Sequence, residues 1–202
     1  MKQENFILII SSPSGAGKTS LSRQLLKEDS RLCLSVSATT RKIRPGEVEG
    51  KDYYFIDIKE YKEMLLNKEF LEDAQVFDNY YGSPKKHIMD KLQEGKDILF
   101  DIDWQGAQTL KEKLGPLVVS IFILPPSMSE LKRRLKSRGQ DSDEVVDRRM
   151  ERAKAEISKY GLYDYVLINK DFDKTLARIS SIIAAERLRF FDFSKFVEDL
   201  MK

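Results

Sequence analysis

Few of the residues that carry nucleophilic, redox or metal chemistry are present in this chain. Cysteine occurs once, at Cys33, so no disulfide can form within the chain, which suits a reducing compartment. Between Leu32 and Leu34, Cys33 reads as a small buried hydrophobe. The single histidine, His87, follows Pro84-Lys85-Lys86 at a helix start and reads as structural or solvated. No partner for a metal or catalytic role stands beside it. Long apolar runs are missing too. The N-terminal run Phe6 to Ile10 is too short for a signal-peptide core or a membrane span, and no other segment approaches membrane length. Nor is there an excess of one charge: Lys and Arg number 35 against 33 Asp and Glu, a net charge of +2. That balance argues against a nucleic-acid polymer as partner. Internal repeats, low-complexity stretches and long linkers are absent. A soluble, cytoplasmic protein without a membrane partner is expected.

What is present is enough for a substantial core: 202 residues, 41% of them apolar. Phe6 to Ile10, Ile98 to Ile102, Leu117 to Leu124 and Tyr165 to Ile168 read as short buried strands. Helical patterns fall at roughly 18–28, 104–114, 127–138, 143–159 and 172–190. Strands alternating with helices predict an α/β fold with a parallel sheet core wound on both faces. Two regions break the rhythm. Residues 35–83 are rich in Tyr, Gly and short alternating runs, and read as an inserted lobe with antiparallel strands and one helix near 58–67. Residues 138–149 are polar and charged between two helices, as in a lid. The core is then 1–34 and 84–202, lid included.

After the first strand comes Ser12-Pro13-Ser14-Gly15-Ala16-Gly17-Lys18-Thr19, which opens the first helix. This is a phosphate loop (P-loop), with Ser12 where the first glycine usually stands. Gly15 and Gly17 permit the tight turn that aims successive N–H groups at phosphate oxygens. The helix amino end favours an anion. Lys18 supplies a point charge, and the Thr19 hydroxyl can ligate Mg²⁺. The candidate ATP-binding set is Ser14, Gly15, Ala16, Gly17, Lys18, Thr19 and Ser20. The strand through Ile98-Leu99-Phe100-Asp101-Ile102 leads to Asp103, a candidate magnesium carboxylate or the N-cap of the next helix.

The loop alone specifies only a nucleoside triphosphate. The stretch Ser35-Val36-Ser37-Ala38-Thr39-Thr40-Arg41-Lys42-Ile43-Arg44-Pro45-Gly46-Glu47 sharpens this, followed by Gly50-Lys51-Asp52-Tyr53, Glu72 and Asn79-Tyr80-Tyr81-Gly82-Ser83. Asp101-Ile102-Asp103 with Gln105-Gly106, and the run from Leu131 to Gly139, complete it. In this order the chain resembles the guanylate kinases from about residue 5 to about 190. The resemblance implies a GMP-binding lobe at 35–83 and a helical lid. It implies Arg41, Arg44, Tyr53 and Tyr81 on the GMP phosphate, and Ser37, Glu72, Ser83 and Asp103 in the GMP site, with Glu72 reading guanine. Arg134, Arg138 and Arg149 become catalytic together with Lys18, and Asn169 helps hold the adenosine of ATP. Lys170 stands where the family often has an acid. From the residues alone, Arg41 and Arg44 are cationic forks suited to a phosphate or part of a solvated basic loop, and Glu72 reads as a surface charge on a strand.

On this reading the nucleophile is a phosphate oxygen of GMP, already ionised at neutral pH, so no general base is needed. Catalysis comes from positioning and charge neutralisation, with Mg²⁺ entering alongside ATP. Two rivals stand: another P-loop small-molecule kinase, and a non-catalytic guanylate-kinase-like module of scaffold proteins. The tail Phe190-Phe191-Asp192-Phe193 leaves two readings, packing on its own core or a contact in a homodimer.

Overall fold

The computed structural model describes residues 2–3, 5–76, 78–137, 143–189, 191–192 and 194–201. In chain order the elements are β1 Lys2–Gln3, β2 Ile7–Ser11, α1 Lys18–Glu28, β3 Leu32–Leu34, β4 Ala38–Thr39, β5 Tyr54–Phe55, α2 Ile58–Leu66, β6 Phe70–Val76, β7 Asn79–Pro84, α3 Lys85–Gln93, β8 Asp97–Asp101, α4 Trp104–Leu114, β9 Val118–Leu124, α5 Met128–Ser137, α6 Asp143–Ile157, β10 Tyr165–Ile168, α7 Phe172–Arg189, β11 Phe191–Asp192 and α8 Ser194–Leu200.

Five strands form the main sheet in the order β10-β9-β2-β8-β3, all parallel. The central strand β2 is buried along its whole length, and its side chains divide between two cores. Leu8 and Ile10 pack with Leu21 and Leu25 of α1 and Ile179 and Ile183 of α7. Ile7 and Ile9 pack with Ile88 of α3 and Ala107 and Leu110 of α4. A strand covered on both faces needs an unbroken apolar run, which is the pattern at its sequence. A second sheet of four strands, ordered β5-β4-β7-β6, lies within residues 38–84 and mixes parallel and antiparallel pairs. Tyr61 of α2 stacks on Phe70 and Tyr80 there, with ring centroids 4.9 and 5.2 Å away.

Several expectations are refined. The strand β3, which holds Cys33, is a fifth member of the main sheet and lies at its edge. Cys33 is half-buried and packs against the core on the α4 side. In the residues expected to form a lid, 143–149 are the first half of α6, and 138–142 lie outside the described residues. The tail begins by pairing β11 with β1, while Phe196, Val197 and Leu200 of α8, and Met201 after it, are exposed.

At the amino end of β8, away from the P-loop, Asp97 is fully buried. Arg187 Nε lies 2.8 Å from Asp97 Oδ2, Arg31 Nη2 lies 3.6 Å from Oδ1, and the Phe6 N–H donates to Oδ1 at 3.3 Å. Arg187 also pairs with Asp29 at 2.8 Å. One guanidinium thereby ties α7 to β8 and to the end of α1. Breaking a buried pair leaves an uncompensated charge, so Arg187→Met is expected to destabilise the fold by about 3 kcal/mol. Urea titration followed by circular dichroism measures this. A loss well under about 1 kcal/mol would assign the work to Arg31 and the backbone.

Candidate functional site

The P-loop springs from the carboxyl end of β2, where a parallel sheet opens a crevice for ligands. Gly15 and Gly17 have φ of 91° and 104°, a region that L side chains rarely adopt. Ser12 needs no such angle: positive φ occurs at neither Ser12 nor Pro13, so serine replaces the usual glycine without strain. The loop is clamped from behind. Asn169, buried at the end of β10, donates from Nδ2 to Ala16 O at 2.8 Å. A Cβ at Gly17 would collide with that same nitrogen. Leu131 and Leu135 of α5 close over Gly15. Thr19 and Ser20 are exposed on the first turn of α1.

Register then supplies the partner of Lys18. Ile10 of β2 is paired with Asp101, the last residue of β8. The Lys18 ammonium forms an ion pair with Asp101 Oδ1 and donates to Ile102 O at 3.3 Å. Of the two carboxylates on this strand end, Asp101 therefore faces the loop lysine. Asp103 is turned to the start of α4, where its Oδ1 accepts from the N–H of Gln105 (3.1 Å) and Gly106 (3.0 Å). The capping role weighed for Asp103 is present, and Asp101 is a site residue that the sequence reading left without an assignment.

Lys18 and Thr19 line a cleft of about 420 Å³ together with Ser37, Arg41, Arg44, Tyr53, Tyr81 and Asp101. Residues far apart in sequence and assigned to two different nucleotides thus face one space. Arg41 and Arg44 are organised by Glu47, whose Oε1 lies 2.7 Å from Arg41 Nη2 and whose Oε2 accepts from the Arg44 N–H at 2.8 Å. The hydrogen bond from Arg41 holds the Glu47 carboxyl below its ordinary range. The Arg41 guanidinium sits 5.3 Å from the centre of the Tyr53 ring, which meets the Tyr81 ring edge-on at 6.0 Å.

Deeper in, Ser37, Ser83 and Glu72 form a chain. The Ser37 and Ser83 hydroxyl oxygens are 3.3 Å apart, and Ser83 Oγ donates to Glu72 Oε1 at 2.5 Å. Glu72 is only 3% exposed. Its reading as a surface charge is therefore excluded. Burial pushes its carboxyl up to about 7, and the Ser83 hydrogen bond opposes that shift.

The other assigned cations lie elsewhere. Arg134 of α5 is bound by Glu130 at 2.8 Å, and reaches Ala16 O at 3.5 Å and Asn169 O at 3.2 Å. It lies behind the P-loop, beside Asn169, rather than in the cleft wall. Hydrogen bonds from Arg133 and Arg134 hold Glu130 down to about 2. Arg149 is half-buried on α6, and Arg138 lies outside the described residues. One further residue was not foreseen. Glu156, near the end of α6, accepts a hydrogen bond from the Ser14 backbone, and burial raises its carboxyl above the ordinary range. It stands in a helix crowded with charges, so no sequence signal separates it from its solvated neighbours.

The Glu72 shift gives a stability prediction. Its carboxyl titrates near 4.5 when unfolded and near 7 when folded, so the native state binds more protons between those values. Stability therefore falls as pH rises from about 4.5 to about 7, and the full cost, on the order of 3 kcal/mol, is present above that window. Glu72→Gln should raise the melting temperature at pH 8 and leave it unchanged near pH 4. An equal effect at both values would mean that the buried charge is not the cause.

A sequence model described as guanylate kinase matches residues 4–186. A guanylate kinase of Novosphingobium aromaticivorans is 53% identical over 189 residues, which cover 94% of this chain and 86% of that one. One of Paramagnetospirillum magneticum is 51% identical over 189 residues, with 94% and 88% covered. Among solved structures, guanylate kinase from Anaplasma phagocytophilum superposes with a TM-score of 0.77 at 43% identity, covering 93% of this chain and 88% of that one. With its P-loop, the cleft it opens into and a family match along nearly its full length, the chain belongs to the guanylate kinase family.

Proposed function

We propose that the protein transfers the γ-phosphoryl group of ATP to GMP, giving ADP and GDP, and that the two nucleotides meet in the cleft between the two sheets. The observation that carries this is the shared lining: Lys18 and Thr19 face the same space as Arg41, Arg44, Tyr53 and Tyr81. The names of its relatives support the same activity.

On the donor side, the N–H groups of the turn from Ser14 to Gly17 and the amino end of α1, where Thr19 and Ser20 lie, receive the phosphates of ATP. Lys18 exchanges Asp101 for the β- and γ-phosphates. Asn169 keeps the loop in shape through Ala16 O and borders the adenosine side, with Arg134 beside it. Arg138 and Arg149 are the lid cations that balance charge on the transferring phosphoryl group. On the acceptor side, Arg41, Arg44, Tyr53 and Tyr81 hold the GMP phosphate. Glu72 accepts from guanine N1–H and N2–H₂, with Ser37, Ser83 and Asp103 around the base. Adenine, with a bare acceptor at N1, would face the carboxylate unfavourably.

A magnesium ion fits the oxygen donors present. The Thr19 hydroxyl and the Asp101 carboxylate both line the cleft. Among the described residues no group of three or more His, Cys, Asp or Glu side chains could hold a metal by itself. Such a donor set suits an ion bound by a carboxylate, a hydroxyl, substrate phosphates and several waters. When bound, it would neutralise charge on the donor phosphates. The protein's own part is positioning: Arg41 and Arg44 hold the acceptor phosphate for in-line attack, and Lys18 holds the donor. No proton needs to be removed from the attacking oxygen. ATP and GMP are the partners, and the site of action is the cytoplasm. Among the described residues no helix is long and apolar enough to cross a membrane.

Lys18→Met should lower kcat by roughly 100-fold or more while leaving the circular dichroism spectrum unchanged, because it removes a charge that acts on the transition state. Arg41→Met should raise KM for GMP by roughly tenfold or more and leave KM for ATP nearly unchanged. Separate titrations of the two nucleotides check this. Near-normal turnover in folded Lys18→Met, or equal weakening of both nucleotides by Arg41→Met, would contradict the assignment of the cleft.

A further inference from the structure

Gly106 is the third residue of α4 and is buried. Its φ is not positive, so the backbone does not require glycine there. Glycine is disfavoured in a helix relative to alanine, because it loses more freedom on folding and covers less backbone. Something other than conformation explains it. A Cβ built at 106 would lie 2.8 Å from Glu72 Oε2, 3.4 Å from Glu72 Cδ and 3.2 Å from Ile102 Cδ1. The carboxylate has little freedom to step aside. It is buried on β6, and its other oxygen is held by Ser83, itself fully buried on β7. The Gly106 N–H in turn donates to Asp103 Oδ1. One side-chain-free position thus joins the two acids assigned to the guanine site.

We propose that Gly106 is a specificity-determining position, acting through Glu72. The missing side chain lets α4 approach β6 until the helix backbone itself forms one wall of the Glu72 carboxylate. That contact sets the height and angle at which both oxygens meet the two donors on the guanine edge. It also places the carboxylate near the amino end of α4, where the helix dipole favours the ionised form that guanine requires. A methyl group here displaces Glu72 by several tenths of an ångström. Paired hydrogen bonds to a rigid base tolerate such a shift poorly, since they weaken steeply once bent. Gly106 has no side chain to offer a nucleotide and is proposed as a positioning residue. The proposal rests on the reading of Glu72 as the guanine acceptor.

The test compares Gly106→Ala, Glu72→Asp, Gly106→Ala/Glu72→Asp and Glu72→Gln, by kcat and KM for GMP, AMP and ATP, with a thermal melt of each. Gly106→Ala is expected to raise KM for GMP by roughly tenfold, to leave KM for ATP within about twofold, and to lower the ratio of catalytic efficiencies for GMP over AMP. Shortening the acid by one methylene makes room for the methyl group. The double variant should therefore use GMP better than the product of the two single effects. An unchanged KM for GMP in Gly106→Ala, equal rises for GMP and ATP, or a strictly additive double variant would overturn the proposal. Should Gly106→Ala fail to fold, recovery of folding in the double variant supports the contact with Glu72, and failure of both overturns it. Glu72→Gln separates the two layers. A GMP-over-AMP ratio unchanged by Glu72→Gln removes Glu72 as the guanine reader, and the proposal with it. A ratio lowered by Glu72→Gln but untouched by Gly106→Ala overturns the role of Gly106 alone.

Discussion

The pairing of β2 with β8 governs the geometry of the site. Their parallel register sets Ile10 beside Asp101, so the loop leaving one strand and the carboxylate ending the other arrive at the same edge of the sheet. Lys18 bridges them. Both faces of β2 are buried, so a slip of one residue would turn two cores inside out. The position of the P-loop lysine is therefore secured by apolar packing well below it. On the far side, Asn169 makes the loop a clamped element rather than a free turn.

A second regularity concerns charge. Three cations assigned to phosphate chemistry rest on internal carboxylates: Lys18 on Asp101, Arg41 on Glu47, and Arg134 on Glu130. Each pair keeps a cation ordered without leaving its charge unbalanced. An incoming phosphate competes for a partner already in place, so little reorganisation is needed when it binds. Glu72 is the inverse case, an acid with no cation directly on it and with its charge disfavoured by burial. Such a group costs stability, and on the proposed function guanine would offset that cost by bringing it two further donors.

The buried strands β2, β8 and β9 were legible because continuous apolar runs bounded by turn residues have few other meanings, whereas β10, expected to be buried too, lies at the edge of the main sheet with Val166 and Ile168 exposed. The P-loop was legible because its glycines, lysine and hydroxyl follow such a strand. Three kinds of feature were not. The strand β3 has three residues and an edge position, too little pattern for a periodicity argument. Asp101 and Asp103 sit two apart at one strand end, and only the structure shows the first facing Lys18 and the second capping α4. Glu72, Glu156 and Gly106 owe their surroundings to contacts between distant segments, Ser83, Ser14 and Glu72 respectively. Nothing local marks a glutamate as buried or a helical glycine as making room.

The central claim is that one cleft holds both nucleotides and passes a phosphoryl group between them. Product analysis of the unmodified protein with ATP, Mg²⁺ and each of GMP, AMP and a ribose bisphosphate tests it most directly, by separating the nucleotides and weighing ADP against new phosphorylated product. The expected result is one ADP for each GDP formed with GMP, and little product with AMP or the sugar phosphate. Saturable binding of GMP without any GDP would make the chain a binding module. Efficient phosphorylation of the sugar phosphate in preference to GMP would make it a different P-loop kinase. The first result would contradict the role assigned here to Lys18, and the second those assigned to Arg41 and Glu72.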